Sequence, residues 1–175
     1  MNVHRSVAGS LFVVPSALAC VAVVVAALVL PERVPTHFGG TGMPDDWSSR
    51  AGAVTFLAVH TAGMVALFAA LVRWVPRMPA EWINVPHKQQ WLRSGLEGEL
   101  RRRLRIDLLV FGVGMNVVSL SVTLSLVQAA HTGDGRMPVW WFVVLGAWLL
   151  FTIGQVVVMH AVRYRLEPVP DSPVR

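Results

Sequence analysis

Residues Pro31–Arg50, with the sequence PERVPTHFGGTGMPDDWSSR, form the long polar segment between the first two hydrophobic runs of the chain. Pro31, Pro35 and Pro44 fix φ and discourage a helix, while the three glycines of the segment permit positive φ. This composition predicts a loop with defined turns rather than a flexible linker. The loop brings five reactive or recognition side chains to one end of the molecule, namely His37, Asp45, Asp46, Trp47 and Arg50.

Hydrophobic residues make up 54% of the chain and charged residues 14%, whereas about a quarter of a soluble domain is charged. The apolar residues fall into four runs, each long enough to supply the roughly 20 helical residues that cross a bilayer. These runs are Leu11–Leu30, Ala53–Val75, Ile106–Ala130 and Val139–Val162. We therefore predict an all-α membrane protein whose four transmembrane helices form an up-down bundle, with a structured outer loop between helices one and two.

The four helices are predicted to form a single domain over residues 1–165. Its outer loop covers residues 31–52, and an amphipathic cytoplasmic connection covers residues 76–105. The proline-rich residues 166–175 are expected to be a flexible cytoplasmic tail. The first apolar run continues well past a motif that resembles a signal-peptide cleavage site, so we expect an uncleaved helix.

Basic residues predict the orientation of the bundle. Of the 15 Lys and Arg residues, only Arg33, Arg50 and Arg136 lie in the first and third connections, and the others flank the opposite ends of the helices. Because cytoplasmic loops carry the excess of Lys and Arg, both termini are expected inside a bacterial cytoplasmic membrane. The net charge of +5 thus reflects membrane orientation, and membrane lipid rather than nucleic acid is the expected partner.

Polar residues inside the apolar runs are candidates for function or for helix packing. His60 lies within helix two, where an ionisable group indicates either a functional site or an imidazole hydrogen-bonded to a neighbouring helix. Helix three carries polar and small residues on two opposite faces, which predicts a central, buried position. One face comprises Gly112, Asn116, Ser119 and Thr123, and the other comprises Ser121, Ser125 and Gln128.

The cytoplasmic connection contains a leucine at every fourth position, namely Leu92, Leu96, Leu100 and Leu104. On a helix these residues form one apolar stripe, and the arginines lie largely outside it. A basic amphipathic helix of this kind is typical of a segment lying on anionic lipid. The alternative is a docking surface for a cytoplasmic partner.

Two stretches carry a family resemblance. Pro35, His37 and Phe38, followed by Gly42-Met43-Pro44-Asp45, resemble the Pro-x-His-Phe outer loop of a bacterial membrane family that has a domain of unknown function and is related to Sdp-type immunity proteins. Ile83-Asn84-Val85-Pro86-His87-Lys88 with Trp91 is similar to a second, cytoplasmic segment of that family. The resemblance implies a small multi-pass membrane protein, and the better understood relatives confer immunity to a peptide toxin and signal to a cytoplasmic repressor.

These observations favour an integral membrane protein that binds or senses an extracytoplasmic ligand, such as a membrane-active peptide, with a role in immunity or signalling. The candidate ligand-binding residues are His37, Phe38, Asp45, Trp47 and His60. The candidate contacts for a cytoplasmic regulator or exporter subunit are Asn84, Pro86, His87 and Trp91. We expect the outer loop to fold back over the bundle and bring His37 towards the entrance above His60.

Two other functions remain open. Imidazoles at His37, His60 and His131 could hold a metal such as zinc and activate water, which would make the protein an intramembrane metal-dependent enzyme. The spacing of these histidines matches no known metal motif, so an enzyme is the less favoured interpretation. Polar residues in helices three and four also fit an accessory subunit of an exporter.

The predicted orientation is testable by cysteine labelling. Cysteines introduced at Thr41 and at Gln90, after removal of Cys20, should react with a membrane-impermeant reagent from opposite sides of the membrane. Labelling of both positions from the same side would contradict the orientation.

Overall fold

The computed structural model describes the backbone of residues 3–166 and the side chains of residues 11–166, so the predicted tail of residues 166–175 lies outside the described part except for its first residue. Its longer elements are helix α1 (Val3–Val29), strands β1 (Arg33–Phe38) and β2 (Pro44–Ser49), and helices α2 (Arg50–Trp74), α3 (Lys88–Arg93), α4 (Glu97–His131) and α5 (Val139–Val158). Short 3₁₀ turns at Val75–Arg77 and Ala80–Trp82 follow α2, and a π-helix at Met159–Arg163 continues α5.

The predicted transmembrane architecture is confirmed. Within the described residues, four helices are long and apolar enough to cross a membrane, and they comprise Leu11–Val29, Arg50–Arg77, Glu97–His131 and Val139–Arg163. These segments contain the four apolar runs found in the sequence almost completely. The chain therefore forms a helical membrane domain of four long helices.

The segment between α1 and α2 is a β-hairpin, which the sequence pattern did not predict. Strands β1 and β2 pair antiparallel, with Arg33 opposite Ser49 and Phe38 opposite Pro44. The turn is closed by backbone hydrogen bonds from Gly39 N to Met43 O and from Gly42 N to Gly39 O, each 2.9 Å long. We call this side of the molecule the hairpin end, and the opposite side, with residues 75–105, the basic end.

The hairpin packs on the bundle rather than projecting from it. Val34 is fully buried in a cluster with Leu30 of the α1–β1 junction, Leu57 of α2 and Leu126 of α4. Ser49 then caps α2, because its side chain accepts a hydrogen bond from Gly52 N at 3.1 Å. The hairpin is thus fixed to three helices at its base.

Helix α4 is the centre of the bundle, as its two polar faces predicted, since it contacts α1, α2, α5 and β1. Asn116 is fully buried and donates a hydrogen bond from Nδ2 to Ser16 Oγ on α1 at 2.8 Å. Phe12 and Phe68, on α1 and α2, both lie against Gly112. The first and third spans therefore run parallel, in contact along a shared depth, and α2 runs antiparallel to both.

At the basic end, α4 begins at Glu97, nine residues before the predicted span. The leucine stripe is consequently part of a helix that continues into the membrane, and Leu100 is fully buried in a cluster with Ile83, Trp91 and Tyr164. The protein's own side chains, rather than lipid, cover this part of the stripe. The interpretation as a helix lying on the membrane surface is therefore wrong from Glu97 onward, where the connection is the first part of α4.

Helix α5 is the peripheral member of the bundle. Among the described helices α1 to α4, it packs against α4 alone. The contact depends on Gly114, because a Cβ atom built there would lie 1.9 Å from the ring of Trp148. Trp148 therefore occupies the space that a side chain at position 114 would need. The small residues Ala147 and Gly154 of α5 and Ala161 of the π-helix are exposed, so they form no close-packed face against the other described residues.

This contact gives a stability prediction. Gly114→Ala should displace Trp148 and lower the free energy of unfolding by about 1–3 kcal/mol, as overpacking does in other cores. Gly146→Ala is the matched control, because a Cβ atom there would meet no described atom within 4 Å apart from its chain neighbours and the nearby backbone of its own helix. Thermal unfolding in one detergent checks both variants, and an equal midpoint for the two would contradict the assigned packing.

Candidate functional site

The hairpin end carries a histidine–carboxylate pair close to the turn. His37 Nδ1 and Asp45 Oδ1 lie 2.5 Å apart across the two strands. Both side chains are exposed, with 71% of His37 and 53% of Asp45 accessible. The pair therefore presents a hydrogen-bonded imidazole and a carboxylate to the surroundings of the protein.

The electrostatics of this pair favour the protonated imidazole. The hydrogen bond to Asp45 raises the pKa of His37 above its usual value of 6.5, and the negative charges of Asp45 and Asp46 add to the effect. Desolvation lowers the pKa, with an effect smaller than those of the hydrogen bond and charge of Asp45 but larger than that of the charge of Asp46. The shift keeps the imidazole cationic beside the carboxylate to a higher pH than in an unpaired histidine.

The strand geometry explains how an exposed pair is held in place. The pairing register shifts between Pro35 and His37 and again between His37 and Phe38. Such bulges re-aim side chains along a strand. Val34 is buried and Phe38 packs against the same cluster, while His37 between them points outward. Phe38 therefore belongs to the support of the site rather than to its exposed surface.

Trp47 forms the second exposed feature of the hairpin. The guanidinium of Arg33 lies 5.1 Å from the centre of its ring, in a cation–π contact. Despite this contact, 38% of the Trp47 surface remains exposed. The ring also lies against Gly135 of the α4–α5 connection, so the hairpin and that connection form one continuous surface.

Gly42 joins the hairpin turn to the α4–α5 connection. Its φ of +77° is accessible to glycine at little cost, and a Cβ atom there would meet the ring of Phe142 at 3.5 Å. The Gly42 carbonyl accepts a hydrogen bond from Met137 N at 2.9 Å. The glycine spacing in the outer loop thus has a structural reason at this position.

His60 lies apart from the hairpin pair, on α2 within the membrane-spanning segment. Its Nε2 atom is 3.2 Å from Ser119 Oγ on α4, and its ring stacks on Phe56 with 6.0 Å between the centroids. The structure thus supplies the neighbouring-helix partner that one of the two sequence interpretations expected for this imidazole.

The third metal candidate, His131, ends α4 and is held by its own helix through Nδ1 and Val127 O, 2.8 Å apart. Across the residues with a described structure, no three His, Cys, Asp or Glu side chains lie close enough together to hold a metal ion. The three candidate histidines have three different hydrogen-bond partners, so the structure does not assemble the zinc site considered from the sequence.

The partner-binding candidates at the basic end divide into two groups. Asn84 and His87 are exposed and Pro86 is half-buried. His87 adopts a left-handed backbone conformation, with φ of 56°, at the start of α3. Trp91 is only 1% exposed, and its Nε1 donates to Tyr164 O at 2.9 Å. Trp91 therefore holds the connection together and offers no exposed surface to a partner.

The basic end also contains a buried polar cluster that was not predicted from the sequence. Asp107 is 3% exposed and accepts a 2.6 Å hydrogen bond from the Tyr164 hydroxyl. Arg163 Nε lies 2.8 Å from the other oxygen of Asp107, as an ion pair without hydrogen-bond alignment. Burial raises the pKa of Tyr164 above its usual value, and the bond to Asp107 raises it further, so the hydroxyl remains a donor. The only signal in the sequence was an acidic residue at the start of an apolar run.

The shifted pKa of His37 is testable by histidine NMR as a function of pH. Asp45→Asn should return the pKa of His37 towards 6.5, and Asp46→Asn should lower it much less, because Asp46 acts only through its charge. Since folding raises this pKa, protonation of His37 stabilises the fold below pH 6.5, and the contribution is lost as the pH rises through the raised value. A wild-type pKa at or below 6.5 would contradict the pairing.

Part of the chain is similar to a known protein family. The family described as "Domain of unknown function (DUF1648)" matches residues 16–61, which comprise the second half of α1, the whole hairpin and the first half of α2. No curated protein and no solved structure matches the chain. The part of the chain that builds the hairpin site is thus the part that is similar to this family.

Proposed function

We propose that this protein is an integral membrane binding protein whose hairpin end recognises a ligand outside the bacterial cytoplasmic membrane, such as a membrane-active peptide. The observation that carries the proposal is the exposed His37–Asp45 pair on a hairpin whose base is buried. Binding sites gain affinity when their polar groups are already ordered, because less freedom is lost on binding.

The surface around the pair fits a peptide ligand. A protonated imidazole beside a carboxylate offers both a donor and an acceptor to a peptide backbone or to charged side chains. Trp47 and Met43 add exposed apolar surface, 38% and 39% accessible respectively. The sheet has only two strands, so each strand keeps one side without a strand partner, and extended peptides bind such edges through main-chain hydrogen bonds.

The distribution of basic residues supports an orientation with both termini inside. The hairpin would then lie at the outer surface, where a membrane-active peptide arrives, and the basic end would face the cytoplasm. Exposed Asn84 and His87 would be accessible there to a cytoplasmic regulator or an exporter subunit. This arrangement is compatible with immunity or signalling, in which an outer ligand changes the state of an inner surface.

We do not extend the proposal to metal-dependent catalysis. The candidate histidines bond separately to Asp45, Ser119 and Val127. A catalytic zinc site needs three protein ligands around one point, and the described side chains converge nowhere in this way.

The proposal is testable with the protein in lipid nanodiscs and a fluorescent cationic amphipathic peptide as the probe. His37→Ala and Asp45→Ala should each weaken binding about tenfold, the effect of losing about 1.4 kcal/mol of binding free energy. The thermal unfolding midpoint should stay close to that of the wild type, because exposed ion pairs contribute little to stability. Asp134→Ala is the matched control, because Asp134 is an exposed carboxylate in the neighbouring connection. Binding equal to that of empty nanodiscs, or unaffected by both hairpin variants, would overturn the proposal.

A further inference from the structure

A group of polar side chains lies inside the bundle, remote from the hairpin pair. Ser16 of α1, Thr61 of α2, and Asn116 and Ser119 of α4 are all at least nine-tenths buried, with exposed fractions of 7%, 2%, 0% and 1%. They are all within spans that cross the membrane. Buried polar groups at this depth need hydrogen-bond partners inside the protein, because lipid provides none.

The hydrogen bonds of this group fix the orientation of Asn116. Ser16 Oγ donates its one proton to Phe12 O at 2.7 Å. It can therefore only accept from Asn116, and the amide must present its Nδ2 group to Ser16. The Asn116 Oδ1 atom consequently points away from Ser16, and it has no hydrogen-bond partner in the part of the chain with described side chains.

The hydroxyl of Ser119 determines in the same way which nitrogen of His60 carries the proton. Ser119 Oγ donates to Met115 O at 3.0 Å, so it accepts from His60 Nε2. Neutral His60 thus carries its proton on Nε2. This contact connects α2 to α4, as the Asn116–Ser16 contact connects α1 to α4.

A second unpartnered atom lies beside this contact. Thr61 Oγ1 is buried and has no hydrogen-bond partner among the described residues. Thr61 follows His60 on α2, and Asn116 lies one turn before Ser119 on the antiparallel α4. Both are therefore displaced from the His60–Ser119 contact towards the basic end, with depths that differ by only about 3 Å at 1.5 Å per residue.

We propose that Asn116 Oδ1 and Thr61 Oγ1 bind a water molecule between α1, α2 and α4 in the interior of the membrane-spanning bundle. The two groups are complementary to water, because Asn116 Oδ1 is an acceptor only and the Thr61 hydroxyl both donates and accepts. Internal waters typically satisfy buried polar groups that have no protein partner. The site is independent of the proposed peptide binding at the hairpin.

The direction of a stability change tests this site. If Thr61 Oγ1 binds water, Thr61→Val removes a satisfied hydrogen bond and lowers the unfolding midpoint by about 2 °C or more. If the hydroxyl is unpartnered, the same change is neutral or raises the midpoint, because an apolar group of the same shape replaces an unsatisfied one. Thr61→Ser keeps the hydroxyl and should lose less than Thr61→Val.

The matched control is Thr152→Val on α5, since Thr152 Oγ1 is also buried without a partner among the described side chains but lies on the peripheral helix. It should cause no comparable fall. The Thr61→Val and Asn116→Ala shifts should also be non-additive, because each variant disrupts the same bound water. A Thr61→Val midpoint at or above the wild-type value, or additive shifts in the double variant, would overturn the proposal.

Discussion

The close approach of α4 to its neighbours at Gly112 is the constraint on which the rest of the structure depends. A Cβ atom at this position would lie 2.8 Å from Phe12 and 3.0 Å from Phe68. In a bilayer, lipid tails are as apolar as leucine, so helices associate through tight packing and interhelical hydrogen bonds. The glycine brings α1 and α4 close enough for Asn116 to reach Ser16, and the same contact sets the relative depth of α1, α2 and α4.

That shared depth places the hairpin. Residues near the hairpin ends of α1, α2 and α4 form the cluster in which Val34 is buried, so the base of β1 can only rest there if the three helices end together. The position of the exposed His37–Asp45 pair then depends on contacts made inside the bundle. The hydrogen bond between the two side chains depends on the cross-strand register. Helix packing in this way positions a surface site whose reactive side chains, His37 and Asp45, are themselves exposed.

Sequence periodicity and composition predicted the four spans, the central position of α4 and the burial of Asn116, because bilayer thickness and helix geometry leave few alternatives. The hairpin was missed because its strands are short, rich in proline and charge, and are supported by α4, which is distant in sequence. Trp91 was interpreted as a partner contact, yet it contacts Tyr164, 73 residues away. The Tyr164–Asp107 bond spans 57 residues, and no local pattern encodes pairings of that kind.

The π-helix at Met159–Arg163 has a consequence for length variation in this chain. Tyr164 N donates to Met159 O at 3.1 Å, five residues earlier, so this turn holds one residue more than an α-helical turn. Residues beyond it are rotated by roughly 100° relative to a regular helix of the same sequence, which is the angle between successive α-helical residues. Deleting one residue from this turn would convert it to a regular α-helical turn, and Tyr164 would still face Asp107. A deletion earlier in α5 would instead move Trp148 or the α4–α5 connection out of register. The wide turn is therefore the point in the last span at which the chain tolerates a change of one residue.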